Sequence, residues 1–248
     1  MLYPEQIGAL AACGVSEVAV LQKPRVGVLS TGGELLDIDG EPKPGCVYDI
    51  NSHTLSCALR MFGCEVVSLG KVSDEPAALK SAITDGIKRC DLLILSGGSS
   101  LGEGDVVVGV LSELGRLLFH GIAVKPGKPT VLALVKGRPL VGLPGNPTSA
   151  MAVFHVLVRP LVDAMLGARG VTSLTVRAVA GCRIHSVKGR RELKFVRLER
   201  SERGLVAHPI STGSEAASTY ALSDGYVDIP EEVEMIEEGE EVEVKLLS

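Results

Sequence analysis

The chain has 248 residues, 46% of them hydrophobic and 3% aromatic with no tryptophan, and a formal net charge of −5 at pH 7. That length and apolar content support two domains with aliphatic cores. The acidic balance, the missing basic stripe and the scarcity of aromatic platforms argue against nucleic-acid partners and against an anionic membrane surface.

The first residues, MLYPEQIGALAACGVSEVAV, carry Glu5 early and have no basic segment ahead of the apolar ones. With no uninterrupted apolar run of about 18 residues anywhere, a cytoplasmic protein without a membrane span is expected. Residues 25–30, RVGVLS, read as a buried strand ending in the turn Thr31-Gly32-Gly33. In NSHTLSCALRMFG, Leu55, Ala58, Leu59 and Phe62 share one helical face, with Asn51 as N-cap and Gly63 as stop. A strand at 65–70, a helix at 76–89, a strand at 91–96, the loop SGGSSLGEGD at 96–105 and a helix at 105–115 repeat the pattern. Such alternation predicts an α/β fold with a mostly parallel sheet and helices on both faces.

Next come VLALV (131–135), a turn at Lys136-Gly137, LVGL (140–143) and a long apolar helix from Pro147 to about Leu166. Beyond Gly167-Ala168-Arg169-Gly170 the segments are short and alternating, which predicts a small all-β domain over 171–248. The Glu-rich stretch from Glu231 to Glu243 reads as a solvated strand face. Six cysteines, Cys13, Cys46, Cys57, Cys64, Cys90 and Cys182, include no C-x-x-C pair, and several fall in apolar patterns, so reduced, buried thiols are expected. The five histidines are scattered, and no zinc site is expected.

Ligands of open parallel sheets bind beyond the carboxyl ends of the strands. Three glycine- or proline-braced segments fall there: STGGE (30–34), SGGSSLGEGD (96–105) and LPGNPTS (143–149). Glycines 97, 98, 102 and 104 allow N–H groups to approach an anion closely, and Ser96, Ser99 and Ser100 add hydroxyls. A tight strand-to-helix turn without a ligand is the alternative. In LPGNPTS, Asn146 is placed to cap the next helix, Pro147 to open it, and Thr148 and Ser149 to show hydroxyls at its positive end. VKPGKP (124–129) stiffens a loop bearing Lys125 and Lys128, which suits a phosphate or an oxyanion. Glu34, Glu103 and Asp105 lie at the same strand ends, where Mg²⁺ would reconcile carboxylates with a phosphate. For Asp105, compensation of a helix N-terminus is the other reading.

STGGEL, YDIN (48–51), LILSGGSSLGEGD, VKPGKP and GLPGNPTSAM, in this order and spacing, resemble the molybdopterin molybdenumtransferase family, the MoeA-like proteins that include the C-terminal region of gephyrin. GRREL (189–193) and STGSEAASTYALSDGYVDIP (211–230) carry the resemblance over nearly the whole chain. It implies a helix-strand remnant or linker at 1–23, a MogA-like molybdopterin-binding α/β domain at 24–168 and a small β-barrel-like domain at 171–248. The implied activity is insertion of molybdate into adenylylated molybdopterin with release of AMP, assisted by Mg²⁺. By matching position, Thr31, Gly32, Ser96, Gly97, Gly98, Ser100 and Gly102 would line the pterin and phosphate cradle. Lys125, Lys128 and Ser149 would face phosphate or oxyanion, Asn146 would belong to the same substrate site, Arg190 and Ser214 would hold molybdate, and Asp105 and Glu34 would be the catalytic carboxylates that handle the metal ion.

Two departures qualify the resemblance. The family's first loop reads T-G-D-E, and Gly33 here removes a carboxylate expected to handle metal or molybdate. The chain also begins where relatives have already traversed two further domains, which in the family cover the site across a dimer. The expected partner is therefore a second copy or a separate N-terminal polypeptide. Three readings follow: a molybdenumtransferase, a non-catalytic molybdopterin-binding module or subunit of a split enzyme, and an adenylyltransferase-like activity on molybdopterin.

Overall fold

The computed structural model describes residues 2–97, 104–168, 174–202, 204–210 and 216–247. Helix α1 (Pro4–Ala12) has no buried residue. An extended stretch leads from it to β1 (Arg25–Thr31), buried from Val26 to Thr31 because strands flank it on both sides. Two short strands, β2 (Leu35–Leu36) and β3 (Val47–Tyr48), pair in parallel beyond the first glycine turn. Helix α2 (Ile50–Met61) turns Leu55, Ala58 and Leu59 inward. Its cap is Asp49, whose Oδ1 accepts from Ser52 N at 3.0 Å, so the expectation of Asn51 as cap is corrected. Either side chain satisfies the local rule, and tertiary contacts draw Asn51 away from it.

Strand β4 (Glu65–Val72), helix α3 (Pro76–Gly86), strand β5 (Leu92–Ser96) and helix α4 (Gly104–Leu114) continue the alternation. After α4 the chain runs straight into β6 (Gly115–His120), a strand with no signal in the sequence reading. It lies at a sheet edge, carries a register shift and has mostly exposed side chains, so its apolar pattern is irregular. Strand β7 (Val124–Lys125) follows, then the hairpin of β8 (Val131–Val135) and β9 (Arg138–Leu143). Lys136 at φ 51° and Gly137 at φ 78° close that hairpin, as a two-residue type I′ turn requires.

The main sheet has the order β4-β1-β5-β9-β8-β6. The first four strands are parallel, and β8 runs antiparallel to both its neighbours. The sheet is thus mixed, because a two-residue hairpin can only reverse the chain. Its last helical stretch comprises α5 (Pro147–Val153), a π-helical turn (Phe154–Val158) and α6 (Arg159–Met165). By length and composition Pro147–Met165 could cross a membrane, yet it is 56% buried within the protein. With α2 it covers one sheet face, packing Met151, Phe154 and Val158 on Val28, Ile94 and Val141. Helices α3 and α4 cover the other, where Leu79, Ile83 and Leu111 meet Leu29, Leu93 and Leu95.

The remaining elements are β10 (Thr175–Ala180), β11 (Ile184–His185), β12 (Arg191–Ser201), β13 (Gly204–Pro209), α7 (Ala217–Ala221), β14 (Gly225–Ile229), β15 (Met235–Ile236) and β16 (Glu241–Leu246). The order β13-β10-β16-β14-β12, with β12 also paired to β13, closes five strands into a barrel. Closure leaves few free edges. Helix α7 qualifies the all-β expectation for this region.

Among the described residues, barrel and sheet domain are joined by strand pairing and by side-chain packing. Strand β7, between β6 and β8 in the chain, lies outside the main sheet and pairs in parallel with β12. Phe154 and His155 from the π-helical turn meet Tyr220, Tyr226 and Phe195 in a chain of ring contacts with centroids 5.4–6.3 Å apart. Scarce as aromatics are in this sequence, they gather where the two cores meet. All six cysteines are free, but only Cys64 and Cys90 are buried, which corrects the expectation of buried thiols. Cys57, for instance, sits on the outward face of α2, between residues whose neighbours point inward.

Candidate functional site

Parallel pairing sets the ends of β1, β5 and β9 level with one another. Ser30 is the register partner of Ser96, and Ser96 is the partner of Leu143. The loops that follow all leave from one rim. Gly97, at φ 102°, turns the chain sharply after β5, and a β-carbon there would lie 2.0 Å from Thr31 O. Only glycine permits this approach. Gly145, in the third loop, lies against Gly97 in ordinary van der Waals contact: a β-carbon on it would be 3.8 Å from Gly97 Cα. The three loops singled out in the sequence therefore meet.

Asn51 ties two of them together. Its Nδ2 donates to Ser96 Oγ at 2.9 Å and to Gly145 O at 2.7 Å, with the residue 7% exposed. The sequence placed Asn51 in a motif but gave it only a capping role, and its spacing from Ser96 and Gly145 carries no local signal. Asp74 stands in no motif of the sequence. It follows β4 and accepts a hydrogen bond from the Thr31 hydroxyl. Next to Thr31, Ser30 Oγ is buried with no hydrogen-bond partner among the described residues. A hydroxyl left in that state is costly, so the wall of the rim carries unmet polar capacity.

The acids and bases are distributed around this meeting point. Glu34 is exposed and its carboxylate folds back on the turn, 2.7 Å from where a β-carbon on Gly32 would be. Gly33 is open, with nothing within 4 Å of a β-carbon. Asn146 is exposed at the head of α5 and makes no side-chain cap, which corrects the expected capping hydrogen bond. Ser149 is 5% exposed one turn further on. Thr148 Oγ1 donates to Ala216 O at 3.1 Å, so one expected hydroxyl serves to dock α7.

The loop 124–129 packs against the same helix. A β-carbon on Gly127 would lie 2.5 Å from Val153 Cγ2 and 3.8 Å from Ser149 O, and Thr130 Oγ1 donates to Gly127 O at 2.7 Å. Lys128 is exposed. Lys125 Nζ lies 3.2 Å from Glu192 Oε2 of the barrel. Arg190 is half-buried just before β12. Gly98, Ser99, Ser100, Gly102, Glu103 and Ser214 lie outside the described residues, as does the side chain of Asp105, which stands in the first turn of α4. Among the described residues no group of three or more His, Cys, Asp or Glu side chains is placed to hold a metal ion.

What the arrangement offers is a backbone-lined rim with hydroxyl and amide groups, a lysine loop packed on α5 and Glu34 at the edge of the first turn. Such a rim suits a polar, phosphorylated ligand. Residues 27–164 match the family described as a probable molybdopterin binding domain, and residues 177–247 match the MoeA C-terminal region, domain IV. Molybdopterin molybdenumtransferase 1 of Mycobacterium tuberculosis is 35% identical over 252 residues, covering 98% of this chain and 59% of that protein. The molybdopterin molybdenumtransferase of Haemophilus influenzae is 39% identical over 166 residues, covering 67% of this chain and 41% of that one. The molybdopterin biosynthesis MoeA protein of Pyrococcus horikosii superposes with a TM-score of 0.88 at 40% identity, covering 100% of this chain and 60% of that one. The chain thus spans roughly two fifths to three fifths of the length of these relatives. With more than half of its residues inside the first match and the rim built as described, the chain belongs to the family of the probable molybdopterin binding domain, here followed by a MoeA C-terminal region.

Proposed function

We propose that this chain takes part in molybdenum cofactor biosynthesis as the pterin-holding part of a molybdopterin molybdenumtransferase, inserting molybdate into adenylylated molybdopterin with release of AMP. The observation that carries this reading is the meeting of three loop ends: Gly97 packs on Thr31 and Gly145, and the Asn51 amide bonds Ser96 and Gly145. Backbone N–H groups of the glycine loops would bind the pterin and its phosphate, with Thr31 and Ser96, whose hydroxyls are engaged by Asp74 and Asn51, forming the wall behind them. Lys128 would meet the phosphate or the incoming oxyanion, with Lys125 and Ser149 beside it. Arg190, at the barrel edge, would face molybdate. Because the polar groups are preplaced by the sheet ends, they need little reorganisation as charge moves onto the departing AMP.

Mg²⁺ would neutralise phosphate oxygens at this rim, held by Glu34 and Asp105. Mg²⁺ sites need only one or two carboxylates plus phosphate and water, and the exposed Glu34 beside the first turn would be one of them. Free cysteines, three of them exposed, support a reducing, cytoplasmic setting. A second copy or a separate N-terminal polypeptide completing the site belongs to the same reading, and the exposed apolar side chains Ile7, Val20 and Leu21 support it.

The test is AMP release from adenylylated molybdopterin with molybdate and Mg²⁺, measured on the chain alone and with a candidate partner. Turnover supports the transferase, and absence of turnover under both conditions rejects it. Gly33 favours a second reading, a binding module that keeps the cradle without turnover. Tight pterin binding without AMP release would support that one.

A further inference from the structure

Glu192 stands outside the three converging loops, at the start of β12, and is 3% exposed. Its Oε2 accepts from Lys125 Nζ at 3.2 Å and from Ser186 Oγ at 3.0 Å, while Oε1 lies 3.0 Å from Lys194 Nζ. Burial by itself pushes this carboxyl's pKa up, but the hydrogen bonds from Lys194, Lys125 and Ser186 outweigh it and hold the pKa below the usual range. The backbone repeats the link. Lys125 and Glu192 are register partners across β7 and β12, and Arg191 N donates to Ala123 O at 3.0 Å.

We infer that Glu192 is a positioning residue that fixes the Lys125 ammonium, and with it the loop 124–129, to the barrel, so that barrel orientation sets where this cation meets the bound anion. The inference rests on the function proposed above and adds the element that controls the lysine loop. An ammonium has three donors, so one bond to Glu192 leaves two for an anion. Two lysines share the one carboxylate, which leaves the cluster net positive and attractive to a phosphate or molybdate. A four-carbon side chain held at its tip also has little rotamer freedom left to lose when the ligand arrives.

The link between these residues is read by a double-mutant cycle on kcat/KM for AMP release, using Glu192→Gln, Lys125→Ala and the pair. Each single change is expected to lower kcat/KM about tenfold, and the double variant to be no worse than Lys125→Ala. Additive losses would overturn the inference, because Glu192 would then act without Lys125. A second readout needs no substrate: the rate of reductive methylation of Lys125 against Lys128, followed by peptide mass. Glu192→Gln should speed modification of Lys125 several-fold and leave Lys128 unchanged, and an unchanged Lys125 rate would overturn the link. Should Glu192→Gln fail to melt cooperatively, Lys194→Met replaces it with the opposite sign: Glu192 then serves Lys125 alone and Lys125 methylation slows. A wild-type chain that releases no AMP either alone or with a candidate partner would remove the functional reading, while the methylation rates would still decide the role of Glu192.

Discussion

The side-chain amide of Asn51 donates to Ser96 Oγ at 2.9 Å, and so joins the first turn of α2 to the carboxyl end of β5. The same nitrogen reaches Gly145 O at 2.7 Å, which makes one buried residue the common tie of two loops. Asn51→Ala leaves Gly145 O and Ser96 Oγ without that donor and should cost about 1–3 kcal/mol in urea unfolding. Pterin affinity should fall alongside it. Unchanged stability and affinity would mean the loops are held by something else.

Gly97 and Gly33 make a paired test of backbone room. At Gly97 an added methyl would collide with Thr31 O at 2.0 Å, and φ is 102°. Gly97→Ala should therefore destabilise by more than about 1 kcal/mol and disturb ligand binding. Gly33→Asp, with nothing within 4 Å, should stay within about 0.5 kcal/mol of the parent. If a missing carboxylate limits turnover, this substitution raises AMP release; an unchanged rate assigns the limit elsewhere.

His155 predicts a pH dependence. Burial, with a smaller contribution from Arg159, pushes its pKa down to about 4, and its Nδ1 has no hydrogen-bond partner among the described residues. The folded protein keeps the ring neutral where the unfolded chain would already protonate it. Stability is therefore full above about pH 6.5 and is lost as pH falls toward 4, by about 3 kcal/mol in all. His155→Phe should flatten this part of the profile while keeping ring contacts at the domain interface. An identical slope in the variant would exclude His155 as the source.

Asp228 carries the second charge cluster of the barrel. Arg191 donates to its two oxygens at 2.6 Å each, and Lys245 Nζ lies 2.6 Å from Oδ2. Burial alone pushes its pKa up, and the bonds from Arg191 and Lys245 bring it below the usual carboxylate range. Asp228→Asn leaves two partly buried cations facing a neutral amide and should cost about 1–3 kcal/mol in thermal or urea unfolding. By contrast Glu241→Gln, whose Arg177 partner is 85% exposed, should change stability by less than about 0.5 kcal/mol.

Salt should separate the two lysines. Lys128 is exposed, so Lys128→Ala is expected to weaken anion binding by a margin that shrinks as ionic strength rises from 0.05 to about 0.5 M. An affinity that does not respond to the substitution at low salt removes Lys128 from the site.

Residue order alone determined the succession of buried strand, glycine turn and amphipathic helix, and hence that 30–34, 96–105 and 143–149 would open on one rim. Glycine punctuation and apolar period are local properties, and the right-handed return of each parallel strand leaves little choice of side. Other features were decided by contacts between distant residues. Edge strand β6 is held by pairing to β8, not by its own pattern. Asp49 and Asn51 could each cap α2, and it was the proximity of Ser96 and Gly145, 45 and 94 residues further on, that turned Asn51 inward. Lys125 reads as a free loop cation until β7 joins the barrel and Glu192, 67 residues away, takes its ammonium. A hydrogen bond between such positions exists only once the sheet and the barrel have closed, since nothing in the spacing of the chain fixes the distance between them.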